Sequence, residues 1–423
     1  MEGEPHEGRK RLRTAVRVGF ASDETRPLPA TSVLDPGVPL SPVSIDGAVT
    51  SLPTPPVLEE WYRRYLDRAE LDISSSGVQP YSFAELRRIA GIGHDELDGI
   101  VMDDSTSQGS PELRQAIADR YAGGRREHVM VTHGSSEAIA LTLGTLLEPG
   151  DRVVLSDSLY HSLGHFARER GCEIRTLPLG ELSDGSFPDA VLRDTIGPGT
   201  KAVVANFPHN PTGLSLSRAG YSEFLDRVAY SGALLVWDGA FAEITHGADP
   251  LPNPEMLYPH TVSYGTFSKV YGLPGLRFGW CIAAPELIER TFPLRDRTTL
   301  FLSPLVERIA LHAVRAAPRL IGPRAEQARR NLRLMDHWVD RHADVVAWQR
   351  PHGGVCGLLE LPHVADVERF CLELLDRTGT LLVPGTAFDL PHGVRLGFGG
   401  AAEEFAAGLD RLSGFLRGAR GRR

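Results

Sequence analysis

The period of apolar positions changes several times along the chain, and the changes predict its elements. Residues 1–56 are rich in Pro, Gly and Ser and hold no sustained period, so they read as a mostly irregular arm. Leu58, Trp61, Tyr62 and Tyr65 then recur at helical spacing and predict a helix over 57–70. From about residue 110 the chain alternates between two patterns. Pro111 opens a helix carrying Leu113, Ile117 and Tyr121 on one face. Short, β-branched, almost wholly apolar runs follow at 129–132, 152–156, 202–206, 233–237, 261–264 and 278–283. Runs without polar alternation fit strands covered on both faces. Helical stretches between them predict a largely parallel α/β sheet. After about 320 the pattern changes to a long arginine-rich helix over 323–342 and short strands near 357–360, 381–383 and 394–397, as in a smaller α+β domain. The expected division is a large domain over 81–320 and a small one from 57–80 with 321–423.

Composition narrows the function. The chain has 423 residues, a formal net charge of −9 and a pI near 5.9, which argues against a nucleic-acid surface. No apolar run approaches the roughly 20 residues of a membrane helix. The charged N-terminus lacks the apolar stretch of a secretory signal. Cys172, Cys281, Cys356 and Cys371 form no CxxC pair, which fits reduced thiols in a cytoplasmic enzyme acting on a small-molecule substrate. Of 45 basic side chains only three are lysines, Lys10, Lys201 and Lys269, so Schiff-base chemistry has three candidates.

One candidate stands in a distinctive setting. Lys269 follows a predicted strand within Gly265-Thr266-Phe267-Ser268-Lys269-Val270-Tyr271-Gly272, and Arg277 follows. The hydroxyls of Thr266 and Ser268 and the cation of Arg277 suit a phosphate, and the glycines permit close backbone approach. Gly134-Ser135-Ser136 lies between a strand and a helix, where free N–H groups and the helix dipole favour an anion. Tyr160, Asn210 (in Asn210-Pro211-Thr212-Gly213), Asp238 (in Trp237-Asp238-Gly239) and Arg395 (in Val394-Arg395-Leu396-Gly397) also fall at or near strand ends. Ligands of open α/β sheets bind at such ends.

Taken together, these segments over about residues 57–415 resemble the fold type I pyridoxal-5′-phosphate (PLP) enzymes, the class I/II aminotransferase superfamily. The resemblance implies an α/β fold with a mostly parallel seven-stranded sheet, a smaller α+β domain and a homodimer. It implies that Lys269 carries PLP covalently and that Gly134, Ser135, Ser136, Thr266, Ser268 and Arg277 surround its phosphate. Tyr160 would stack on the ring, Asn210 would bond its O3′, Asp238 would pair with its nitrogen, and Arg395 would grip the substrate carboxylate. Two positions depart from the pattern. Phe241 stands where many members have a tyrosine, and Asp104 stands where the family often has a tyrosine reaching the neighbouring subunit. Both weaken the case for ordinary transamination.

A closer resemblance lies in Asp72-Ile73-Ser74-Ser75-Ser76-Gly77-Val78, Thr132-His133-Gly134, Asn206-Phe207-Pro208-His209-Asn210 and Ser303-Pro304-Leu305-Val306-Glu307-Arg308. These segments are similar to the capreomycidine-forming branch of the superfamily, which serves antibiotic biosynthesis. That resemblance implies loss of water from a β-hydroxylated arginine, followed by attack of its guanidine on Cβ. Asp104 is then expected to hold the guanidinium, with Glu307 as a second candidate, and Gly77 to line the substrate site. His161 is expected to protonate the leaving hydroxyl. His161 and His165 are four apart, but no further ligand accompanies them and no metal is expected. The competing readings are an aminotransferase acting on a basic amino acid and a PLP-binding transcription regulator. The acidic chain, with no helix-turn-helix pattern in its arm, disfavours the regulator.

Overall fold

The buried apolar runs become the strands of one large sheet in a computed structural model, which describes residues 57–420. The irregular arm expected over 1–56 lies outside the described residues. The described chain contains, in order, β1 (Leu71–Asp72), β2 (Val129–Thr132), β3 (Arg152–Ser156), β4 (Glu173–Leu177), β5 (Thr200–Asn206), β6 (Leu234–Asp238), β7 (Thr261–Thr266), β8 (Gly279–Ala283), β9 (Ala347–Trp348), β10 (Cys356–Glu360), β11 (Thr380–Leu381), β12 (Val383–Pro384) and β13 (Gly393–Gly397). Seven of them form a sheet in the order β2-β8-β7-β6-β5-β3-β4. Every pairing is parallel except those of β8, which runs antiparallel to both β2 and β7.

That single reversal matters for function. The carboxyl ends of β2, β3, β5, β6 and β7 lie on one edge, and the amino end of β8 lies there too. Gly279 pairs with both Thr132 and Thr266, so the residues just before β8 are delivered to the same edge. The strands are rigid supports. Val203, Val204, Leu235, Val236, Val262 and Ile282 are buried, and each such side chain contributes about 1.5–3 kcal/mol. Separate apolar clusters cover the two faces of the sheet.

A four-stranded antiparallel sheet, β12-β13-β10-β9, brings in the C-terminal part of the chain, and β1 pairs with β11. Residues 73–77 run against β13, where Gly397 N–H donates to Ile73 O at 2.8 Å. A Cβ on Gly397 would lie 1.8 Å from Ser75 O, so only glycine permits this approach. The helix Val57–Tyr65 ends in a 3-10 turn, Leu66–Arg68, earlier than its apolar pattern suggests. The long helix starts at Ala317 rather than 323, with Pro318 in its first turn and Pro323 inside it. No helix among the described residues is long and apolar enough to cross a membrane.

Candidate active site

The sheet edge gathers most of the expected residues. β2 ends at Thr132 and the chain turns at Gly134, whose φ of +77° suits glycine, before the helix Ser135–Leu146 begins. A Cβ on Gly134 would lie 2.8 Å from Arg277 Nη2, so the guanidinium stands against this helix start. Arg277 Nη1 donates to Ser268 Oγ at 3.1 Å, and the Thr266 hydroxyl donates to Ser268 Oγ at 3.2 Å. Helix N–H groups, two hydroxyls and an exposed guanidinium form a cradle matched to a phosphate.

Beside this cradle lie the two groups that carry charge. Lys269 Nζ donates to Ser76 Oγ at 2.8 Å. Its surroundings push the ammonium down to about 8: desolvation is the main cause and the Arg395 cation adds to it, while Asp238 and Glu59 act in the opposite direction. Asp238, at the end of β6, is buried, and Ala240 N–H donates to its Oδ1 at 2.8 Å. Burial pushes its carboxyl up to about 6, with that hydrogen bond and Lys269 opposing. A protonated pyridine nitrogen would supply the counter-charge that such a buried carboxylate favours. Tyr160 opens the helix His161–Glu169 after β3, with its ring centroid 4.3 Å from that of His161. A lysine with a depressed pKa, a buried carboxylate, an aromatic ring and a phosphate cradle on one edge fit PLP.

Arg395 projects from β13 and is 1% exposed. Its Nε donates to Ser74 O at 3.1 Å, Nη1 to Asn210 Oδ1 at 3.0 Å and Nη2 to the Tyr62 hydroxyl at 2.7 Å. Three of its five N–H donors are thus engaged among the described residues. One N–H on each Nη remains, the pair that a carboxylate accepts. Asn210 is itself fixed, because Asn206 Oδ1 accepts from its backbone N–H at 2.9 Å. Phe241 offers no hydroxyl, and its ring centroid lies 5.9 Å from Lys269 Nζ. Gly77 runs past the same loop, where a Cβ would lie 3.4 Å from Ser268 O.

The structure does not gather every candidate. Asp104 is exposed and shares a surface hollow with Ser105, Glu307 and Arg308. Glu307 is buried and committed: Ser105 Oγ donates to it at 2.9 Å and Ser110 N–H at 2.8 Å, so it secures the approach to the helix Pro111–Tyr121. That engagement displaces the expected guanidinium role with a structural one. His165 pairs with Glu169 at 2.9 Å. Burial lowers the His161 imidazole pKa, and its Nδ1 is buried without a hydrogen-bond partner among the described residues.

Four site residues escaped the sequence reading: Tyr62, Ser76, Cys356 and Glu59. Tyr62 reads there only as part of an apolar helix face. Cys356 lies on β10 with its Sγ 3.7 Å from Asn210 Oδ1. Glu59 accepts from the Tyr160 hydroxyl at 3.4 Å. Only the contacts across more than 100 residues of chain reveal these roles.

Known proteins agree with this geometry. The chain is 43% identical over 377 residues to capreomycidine synthase of Streptomyces vinaceus, covering 88% of this chain and 96% of that protein. It is 27% identical to the aspartate/prephenate aminotransferase of Thermus thermophilus, over 73% of this chain and 82% of that one. Among solved structures, the PLP-dependent cyclase OrfR superposes with a TM-score of 0.86 at 55% identity, covering 90% of this chain and all of that one (100%). A PLP-dependent aminotransferase from Streptococcus suis superposes at 0.81 with 27% identity, covering 86% and 98%. The model of aminotransferase class I and II matches residues 101–412, and this chain belongs to that family.

Proposed function

We propose that this chain is a PLP-dependent cyclase of antibiotic biosynthesis. It removes water from a β-hydroxylated L-arginine, 3-hydroxy- or 3,4-dihydroxyarginine, and joins the guanidine to Cβ, giving capreomycidine or hydroxycapreomycidine. The observation that carries the reading is the similarity to capreomycidine synthase along nearly the whole chain. The same residues would serve an aminotransferase acting on a basic amino acid, the second reading, which the more distant aminotransferase relatives favour.

Lys269 would hold PLP covalently, Asp238 would face its ring nitrogen, Asn210 its O3′ and Tyr160 its ring face. Gly134, Ser135, Ser136, Thr266, Ser268 and Arg277 would hold the phosphate. When bound, PLP supplies an electron sink that makes the substrate's Cα proton acidic. The two free N–H groups of Arg395 hold the α-carboxylate and so orient the Cα–H bond. With its ammonium near 8, Lys269 keeps about one amine in ten neutral at pH 7, enough to act as the base at Cα. The proton taken there is available to the β-hydroxyl as the Cβ–O bond breaks and water leaves. His161 takes a different part from the one its position first suggests. Burial keeps its imidazole neutral near pH 7, so it accepts a proton more readily than it donates one. It suits deprotonation of the guanidinium nitrogen that attacks Cβ. The new N–Cβ bond closes a six-membered ring, a proton returns to Cα, and the net change is loss of one water. Ring closure within one bound molecule gains from high effective concentration.

The reading includes a large domain, 81–320, a small one, 57–80 with 321–423, and a cytoplasmic homodimer. Val101 (76% exposed) and Met102 (69%) stand beside Asp104, and a second copy covering this strip would place Asp104 at its partner's site. Sedimentation as a monomer removes the dimer from the account. Unchanged affinity for arginine in Asp104→Asn removes Asp104 from the substrate site.

Incubation of PLP-loaded protein with either hydroxylated arginine, without a 2-oxo acid, tests the function. The cyclase yields a product lighter by one water. If no water is lost, and arginine with 2-oxoglutarate yields glutamate, the aminotransferase reading replaces this one.

A further inference from the structure

The substrate of the proposed reaction carries charge at both ends, and Arg395 accounts for only one of them. The guanidinium end calls for an anion at the mouth of the site. Asp238 is buried beneath it, Glu307 is held by Ser105 and Ser110, and Asp104 lies on another surface of the same chain, reaching a site only as a partner subunit's residue.

Glu59 meets the requirement from within the chain. It lies in the helix Val57–Tyr65 and is exposed, so its carboxylate is open to a ligand. Its Oε1 accepts from the hydroxyl of Tyr160, the residue that opens the helix carrying His161. The Tyr160 contact sets its carboxylate beside the helix start that carries His161, and its charge acts on Lys269, His161 and Tyr160 together. Glu59 and Tyr62 are three residues apart and so share one helix face. Tyr62 accepts from Arg395 Nη2 on that same face. The helix therefore braces the carboxylate clamp with one residue and presents an anion to the far end of the substrate with the next.

We propose that Glu59 is the specificity residue that binds the guanidinium of the arginine-type substrate. This deepens the function proposed above and rests on it. A carboxylate offers a guanidinium two acceptor oxygens in a matching plane, a match that neither a glutamine side chain nor a neutral substrate can reproduce. The Tyr160 hydroxyl donates to one of its oxygens and leaves the other open.

The test is a titration of the PLP-loaded full chain with L-arginine and with L-norvaline, which has the same carbon chain and no guanidine. Binding is read from the change in the cofactor's visible absorbance. Wild-type protein should bind arginine more tightly. Glu59→Gln should weaken arginine binding by about tenfold to a hundredfold, the range for a lost charge-assisted hydrogen bond, and leave norvaline binding unchanged. Unchanged norvaline binding also shows that the site is intact. Glu59→Asp, which keeps the charge on a shorter stem, should recover part of the preference. Glu59→Gln keeping the wild-type preference overturns the assignment, as does loss of the preference in Asp104→Asn alone. Wild-type protein that binds norvaline as tightly as arginine overturns the proposed function itself.

Discussion

The floor and the mouth of the site are built by different physics. The floor is a row of strand ends. Asp238, Asn210, Thr266 and Gly134 are buried and held by backbone geometry, and the reversed β8 brings the segment carrying Arg277 to the same row. The mouth is made of helix starts and loops. Tyr160 and His161 are partly exposed, and Glu59 is exposed. A preorganised floor suits chemistry shared by a whole family, because its groups must keep fixed positions around one cofactor. A mouth of exposed side chains is where a branch of the family changes its substrate without disturbing the sheet.

The comparison breaks first at Lys269. Lys269→Ala should lower turnover by at least about 10⁴-fold, since base catalysis alone is worth up to that factor, and the covalent cofactor absorbance should disappear with it. Turnover within tenfold of wild type would remove Lys269 from the chemistry. Arg395→Met comes next. It removes two charged hydrogen bonds to the substrate, about 3 kcal/mol or more, and should cost at least about a hundredfold in kcat/KM. Arg395→Lys should recover little, because an ammonium lacks the fork.

His161→Phe tests the mouth and should lower kcat by about 10²-fold. A base must be neutral to act, so the wild-type rate should fall as pH drops below the ordinary histidine range. The variant should lose that part of the acid limb and keep only the fall set by Lys269. Normal turnover by the variant excludes His161 from the reaction.

Asp238→Asn acts on stability rather than turnover in the unloaded protein, and its sign is the informative part. The folded carboxyl sits at about 6, above its ordinary value of 3.8. Its contribution to stability is therefore full below about 4 and is lost as pH rises through about 6. At pH 7 the charged form costs about 3 kcal/mol, so the unloaded variant should melt at a higher temperature than wild type. That gain should vanish near pH 3, where both side chains are neutral. The same variant should bind PLP more weakly. A lower Tm at pH 7 would show that the carboxylate has a stabilising partner in the unloaded protein.

The floor was far more legible in the sequence than the mouth. Strands buried on both faces leave continuous apolar runs, and the cofactor residues follow them at fixed offsets. β4 escaped notice because Glu173, Arg175 and Thr176 are exposed on an edge strand, and its pattern resembles a loop. β1 and β11 are too short to leave a period. Pro323 reads as a helix start because proline is at home there, yet it lies inside a helix begun at Ala317. Glu307 stood out as a charge near a motif, but only the fold shows both of its oxygens engaged. Tyr62 and Glu59 carry no motif, and Ser76 stands within a recognisable segment that gives it no individual role. Each acts on a residue at least 100 positions away, which no local pattern records.

The most direct test of the proposed cyclisation is an NMR measurement on substrate labelled with ¹³C at Cβ and ¹⁵N in the guanidine. The account predicts a one-bond coupling between Cβ and a guanidine nitrogen in the product, formed by the PLP-loaded protein without any 2-oxo acid. A product without that coupling, or one formed only when a 2-oxo acid is supplied, would contradict it.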